Sequence, residues 1–351
     1  MRKYLGASLL ILFLTACSEP VTHYADVNQV RHQLKLQNSL LQPLKNQTIH
    51  EMKTESKLPY SESYLKTRHE IYRSLNAMNL TPSEQQLTDY LSIAERFPAR
   101  YFPWPANINV VENMLNAESL TEQQIVNWVE FTEQQLSKGL ESKLKLSKLE
   151  LNSLKSHITR AKQQANIPKD IAKALVNLDE YLADYIPRGS LGLLGLPNGA
   201  AWYQSKLNYF GQKTNPPLVW LTKIQSMLEL SLQQKYTRSF SNDHSESLLE
   251  QWVNVHSDKL IEGLDWEQNY KNLPLSALAL IETMTESDKV FWLAMMETDL
   301  GIHYHAWTAQ QARVNLEKRV KLSSEQATYA VENLVYFPAF SFAFAPLLDK
   351  M

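Results

Sequence analysis

The sequence predicts an all-α protein built as a single multi-helix domain, and three observations carry that expectation. Apolar residues recur at spacings of three and four, which places them on one face of a helix. Helix-start devices, a capping hydroxyl followed three residues later by Glu or Gln, stand at Thr81, Thr121, Thr308 and Ser323. Glycine is scarce, 9 in 351 residues, and no segment makes a convincing strand of period two.

Taken in order, the chain begins with Arg2 and Lys3 ahead of an apolar run from Leu5 to Leu14. That run is too short to span a bilayer, so residues 1–16 are expected to be a cleaved export signal. It ends in Leu14-Thr15-Ala16-Cys17, which resembles a bacterial lipobox. The resemblance implies that Cys17 carries a lipid and becomes the first mature residue. No other cysteine exists, which excludes structural disulfides and thiolate metal clusters. Ser18, in place of an Asp, favours the outer membrane of a Gram-negative cell, facing the periplasm or the surface. No other segment reaches the roughly 18–20 apolar residues of a span, so the lipid alone is expected to hold the protein to the membrane. A net charge of -2 offers no basic field for nucleic acid.

Residues 17–60 are rich in Asn, Gln and Ser and define no steady apolar face; they read as a tether with one loosely packed helix. The helical domain is expected over 61–351. In Thr81-Pro82-Ser83-Glu84 the threonine caps, the proline suits the first turn and the glutamate reaches back. Tyr101-Phe102-Pro103-Trp104-Pro105 reads as a stiff aromatic loop, plugging the core in preference to forming a binding surface. Ile125, Trp128 and Val129 mark the buried face of one helix, and Leu151, Leu154 and Ile158 that of the next. Ile171, Leu175, Leu178, Leu182 and Tyr185 form a third stripe, which Pro187 ends. The loop "PRGSLGLLGLPNG" holds four of the nine glycines, but it follows no strand and has the spacing of neither a dinucleotide fingerprint nor a phosphate loop.

Catalytic signatures are missing. There is no Gly-x-Ser-x-Gly elbow and no His-Glu-x-x-His; His69-Glu70 begins like the latter, but Arg73 occupies the place of the second histidine. His303 and His305, two residues apart in a segment that reads helical up to Thr308, would point roughly 200° apart around the axis and share no metal.

The stretch "DLGIHYHAWTAQQA", residues 299–312, nevertheless resembles the Asp-Thr-Gly-[Ile/Leu]-His-x-x-Gly-Trp-Thr-x-x-Gln-Ala signature of the bacterial domain of unknown function 885, a metallopeptidase-like family. Asp299, Gly301, Ile302, His303, Trp307, Thr308, Gln311 and Ala312 match it position for position. Upstream, Pro197, Asn198, Gly199 and Tyr203 match that family's Gly-Leu-x-x-Leu-Pro-[Asp/Asn]-Gly-x-x-x-Tyr entry to a helix, so the resemblance covers about 120–345.

The family's zinc site is not matched. Full members carry His-Glu-x-x-Pro-Gly-His-His followed by Glu-Gly-Trp, in which zinc would activate a water. Here the interval holds only His244 and His256, and Glu262-Gly263 is a weak echo of the second motif. Trp292 and Met295 stand in place of arginines. "NLVYFPAFSFAFA" replaces Arg-Tyr-x-x-[Trp]-Pro-Gly-Gln-Ala-x-x-Tyr, with Asn333, Phe340 and Phe344 in place of the arginine, glutamine and last tyrosine.

The resemblance thus implies a shortened zincin-like helical fold with no metal, no cofactor and no peptidase activity, acting by binding a peptide or an envelope protein. The expected ligand cleft is lined by Asp299, His303, Trp307, Glu262, Trp202 and Tyr203. A plainer reading places Trp307 and Tyr203 in the core, with Asp299 and His303 pairing inside it. Two alternatives remain: a metallopeptidase whose atypical zinc site uses His303, Glu262 and one of His244 or His256, and a structural subunit of an envelope assembly with a large exposed apolar patch. Nothing in the sequence sets the oligomeric state.

Overall fold

The computed structural model describes residues 24–30, 32–33, 62–82, 84–85, 88–89, 92, 121–233, 245–252 and 281–350. The export signal, Cys17, the aromatic loop at 101–105, His244, His256 and Glu262 lie outside them. The described chain is helical: α1 (Glu62–Asn76), α2 (Glu122–Glu141), α3 (Lys148–Lys162), α4 (Lys169–Ala183), α5 (Gly199–Gly211), α6 (Pro217–Gln233), α7 (Glu286–His303), α8 (Ala309–Val320), α9 (Ser324–Tyr336) and the short α10 (Leu347–Lys350). Two 3-10 turns join them, Leu193–Gly195 and Phe340–Phe344. The all-α expectation holds, and among the described residues the only β-type pairing is an isolated bridge between Ser147 and Arg188.

Helix starts follow the local chemistry. Thr121, Thr308 and Ser323 each form a full capping box with the glutamine three residues on. Ser147 with Glu150 and Thr285 with Asp288 add two more at α3 and α7. At Thr81, the backbone N–H donates to Glu84 Oε2 at 2.9 Å.

Two cores divide the molecule. α2, α3 and α4 pack around Trp128, Leu154, Ile158, Leu175, Leu178 and Leu182, the stripes legible in the sequence. The second core surrounds α7, in which every residue from Val290 through His303 is buried. α6, α8 and α9 pack on it together with both 3-10 turns. A helix covered on all sides must find partners for its polar groups. Glu297 accordingly receives Arg319 through two bonds of 3.0 and 2.9 Å and Asn315 at 3.1 Å. Thr298 donates to Ala294 O at 2.7 Å.

The 3-10 turn Phe340–Phe344 is an aromatic hub. Three residues per turn set residues 340, 342 and 344 roughly 120° apart around the axis. Phe340 meets Phe210 of α5 at 5.4 Å, Phe342 meets Trp220 of α6 at 5.5 Å, and Phe344 stacks on Trp292 of α7 at 3.6 Å.

A smaller cluster joins Val30 to Ile71, Tyr72 and Leu75 of α1. The helical turn at 27–30 within the tether segment is therefore packed against the first helix of the domain.

Candidate functional site: a buried polar stack

The two motifs that carry the family resemblance meet in space. Asn198 precedes α5 with a left-handed backbone, φ 56, and Gly199 fits there because a Cβ would fall 1.7 Å from Leu193 O. This folds the glycine-rich loop back on itself and aims Tyr203, on the second turn of α5, at α7. The Tyr203 hydroxyl donates to Asp299 Oδ1 at 2.5 Å, and its ring stacks on His303, centroids 5.2 Å apart and planes 30° apart.

Asp299 lies four residues before His303, on the same face of α7. Its carboxylate also accepts from Ala339 N–H, 3.1 and 3.0 Å to its two oxygens, and from the Ser341 hydroxyl at 3.0 Å. It thereby joins α5, α7 and the start of the aromatic hub. Burial pushes its carboxyl up to about 7, against the downward pull of Tyr203, Ala339, Ser341 and Lys206. The same burial, together with the Asp299 charge, holds the Tyr203 phenol well above its usual range.

His303 is engaged at both ring nitrogens. Nδ1 accepts from Leu193 N–H at 3.1 Å, so the proton sits on Nε2, which donates to Leu334 O at 2.9 Å. Burial drives its pKa down to about 3. A neutral imidazole with both nitrogens occupied has no lone pair for a metal. Nor do the described residues contain a cluster of three His, Cys, Asp or Glu side chains able to hold one.

The structure brings together Tyr203, Asp299 and His303, with exposures of 1, 0 and 1 %, and places Trp202 beside them at 2 %. Tyr203, Asp299 and His303 make a packed interior in which Tyr203 bonds to Asp299, and the remaining polar groups are met by Leu193, Leu334, Ala339 and Ser341. The plainer reading of Tyr203 as a core residue matches this geometry. Asp299 and His303 do not pair directly; Tyr203 bridges them. Trp202 carries the Lys206 ammonium over its ring at 5.1 Å.

Trp307 is half-buried on Gly301, where a Cβ would lie 2.2 Å from the indole. α7 ends at His303, earlier than the helical reading up to Thr308. Trp307 N–H bonds back to Gly301 O at 2.8 Å, and Ala306 turns left-handed at φ 54. His305 is exposed while His303 is buried, and what separates them is the end of α7 and not opposite faces of one helix.

Sequence reasoning missed a second buried polar unit at the seam between the cores. Arg188 grips Glu150 through two bonds, 2.7 and 3.2 Å, and donates to Leu191 O at 2.9 Å and to Lys145 O. Arg188 N–H donates to Leu146 O at 2.8 Å, and Leu146 N–H to the Tyr185 hydroxyl at 3.0 Å. The available signals were the Ser-x-x-Glu capping pattern at 147–150 and an arginine placed between proline and glycine in an otherwise apolar loop.

No helix among the described residues is long and apolar enough to cross a membrane. No family model matches the chain, and no curated protein matches it. Among solved structures it is similar to the crystal structure of "the putative lipoprotein from Colwellia psychrerythraea", with 9% sequence identity over 92% of this chain and 91% of that one and a TM-score of 0.51. Identity that low carries the fold and nothing finer, in keeping with the all-helical architecture of the described residues.

Proposed function

We propose that this chain is a lipid-anchored envelope protein of the outer membrane, a non-catalytic relative of the domain of unknown function 885 family, and that it works by binding a peptide or another envelope protein. The observation that carries the non-catalytic reading is the state of the signature residues. His303 has both nitrogens engaged, and Asp299 is spent on Tyr203, Ala339 and Ser341. Polar groups that would serve a reaction serve packing.

Backbone geometry supports the kinship. Ala306 and Ala339 stand where the family motifs have glycine, and both are left-handed, at φ 54 and 64, a conformation that favours glycine. Trp292, in place of a family arginine, stacks on Phe344, in place of a family tyrosine. This pairing fits a site refilled with apolar side chains once it no longer had to hold charge. The lipobox at Cys17 supports the anchor, in keeping with the lipoprotein named for the similar solved structure.

Metal content by mass spectrometry tests the catalytic side of this reading, on chain lacking Cys17 and purified without a histidine tag or chelator. Metal far below one per chain, with no gain in thermal stability on adding zinc, is the expected result. About one zinc per chain, lost on His303→Ala, overturns it and revives a metallopeptidase using His303 and Glu262. For the anchor, intact-mass analysis of membrane-extracted protein should show a lipid increment that Cys17→Ala abolishes.

A further inference from the structure

The polar bonds of Asp299 reach beyond the stack to the segment that ends the fold. Ala339 and Ser341 open the aromatic hub, and the Asp299 carboxylate, itself wholly buried, clasps both. We propose that Asp299 is a proton-operated latch, gaining or losing one proton to set how firmly the segment 339–347 is held against α5, α6 and α7. This inference stands apart from the functional reading above.

The charged and titratable groups around the carboxylate are few. From α5 come Tyr203, in contact, and Lys206, acting through space. The hub contributes only the Ala339 N–H and the Ser341 hydroxyl. On α7 itself, His303 lies one turn on and is held neutral by its own bonds, while Glu297 is paired with Arg319 of α8. Among the described residues no charged group of α6, α8 or α9 bears on Asp299. A buried carboxylate with no cation in contact is costly to ionise, and its hydrogen-bond donors offset that cost only in part. The balance brings the group up to about 7. Once protonated, it must donate its own hydrogen, which the Tyr203 or Ser341 hydroxyl can accept by turning, while Ala339 N–H keeps its bond. The neutral form therefore retains the clasp without a buried charge.

The sign follows from linkage. A carboxyl whose folded pKa lies above its unfolded value contributes stability that is fully present below the unfolded value and is lost as pH rises through the folded one. The latch is firm in acid and loosens toward neutrality. Opening of 339–347 leaves the bonds of His303 to Leu193 and Leu334 in place, so a local probe reads Asp299 alone.

Hydrogen exchange resolved over 339–347, corrected for intrinsic rates, tests this on the full chain between pH 5.5 and 8.5. The expected result is a fall in protection of about thirtyfold from pH 5.5 to 8, levelling off above about 7. Asp299→Asn removes that fall, and Ser341→Ala, which takes one donor from the charged form, moves the levelling point to higher pH. A flat profile in the native chain, or an unchanged fall in Asp299→Asn, overturns the proposal. Should Asp299→Asn not fold, Ser341→Ala decides, and an unmoved levelling point overturns it.

Discussion

The two cores of this molecule solve burial in opposite ways. Around Trp128, Ile158 and Leu178, each of α2, α3 and α4 buries one stripe and leaves the rest to water. Around α7 a single helix is covered on every side, and its interior carries Glu297, Thr298, Asp299 and His303, each satisfied by groups distant in sequence or by the preceding turn. The first arrangement uses local amphipathicity and is built from interchangeable apolar contacts. The second has many dependent parts, because each buried polar group loses its partner if any neighbouring element moves. Single substitutions should therefore be felt more sharply around α7 and at the seam than within α2–α4.

The largest break in that contrast is expected at the seam. Glu150→Ala leaves the Arg188 guanidinium buried and uncompensated, which should lower stability by about 3–5 kcal/mol. Hydrogen exchange read separately over α2–α4 and α7–α9 sharpens the comparison. Loss of protection in both regions shows that the pair couples the cores; loss confined to α3 shows that they are independent.

Gly192→Ala comes next. Its Cβ would stand 2.0 Å from Ile302 O and 2.8 Å from His303 Cα, both backbone atoms that cannot rotate away. A loss of about 3 kcal/mol is expected from such overpacking, measured by urea unfolding. A wild-type midpoint would mean that the loop is not held on the end of α7 in solution.

A smaller, pH-dependent effect separates His303 from the latch. Because the folded imidazole is held down to about 3, its contribution to stability is present above its ordinary value of 6.5 and is lost as pH falls through 6.5 toward 3. The stability advantage of the native chain over His303→Gln should shrink by about 1.4 kcal/mol per pH unit below 6.5. Asp299 has the opposite sign over much of that range, so global unfolding of the native chain should vary little with acid while each single variant varies strongly. Denaturant titrations from pH 4.5 to 7.5 measure all three.

The smallest effect is a gain. Ala306 is exposed and left-handed, so Ala306→Gly relieves backbone strain without removing a buried contact. A gain of about 1 kcal/mol is expected, read as a rise of a few degrees in Tm.

Legibility in the sequence follows the same division. The stripes Ile171–Tyr185 and Ile125–Val129 were readable because an amphipathic helix writes its burial as a period. α7 was not readable in that way, since a helix buried all round has no polar face to set the phase. The alternating phenylalanines at 340, 342 and 344 carry the spacing of a strand; only three helices converging on one segment make a 3-10 hub of them. In the site, Tyr203, Asp299, His303 and Trp307 were picked out by their resemblance to the family motifs, whereas the partners Leu193, Leu334, Ala339 and Ser341 act largely through backbone groups that every residue possesses. Arg188 and Glu150 went unpaired in the sequence because a separation of 38 residues has no period.

By itself, the sequence determined the helical class, the capped starts at Thr121, Thr308 and Ser323 and the faces of α2–α4, because propensity, capping and periodicity act within a few turns of chain. The tertiary structure alone decided that Asp299 and His303 would be buried partners of Tyr203, Leu193 and Leu334, because burial and hydrogen-bond saturation depend on which distant elements pack together.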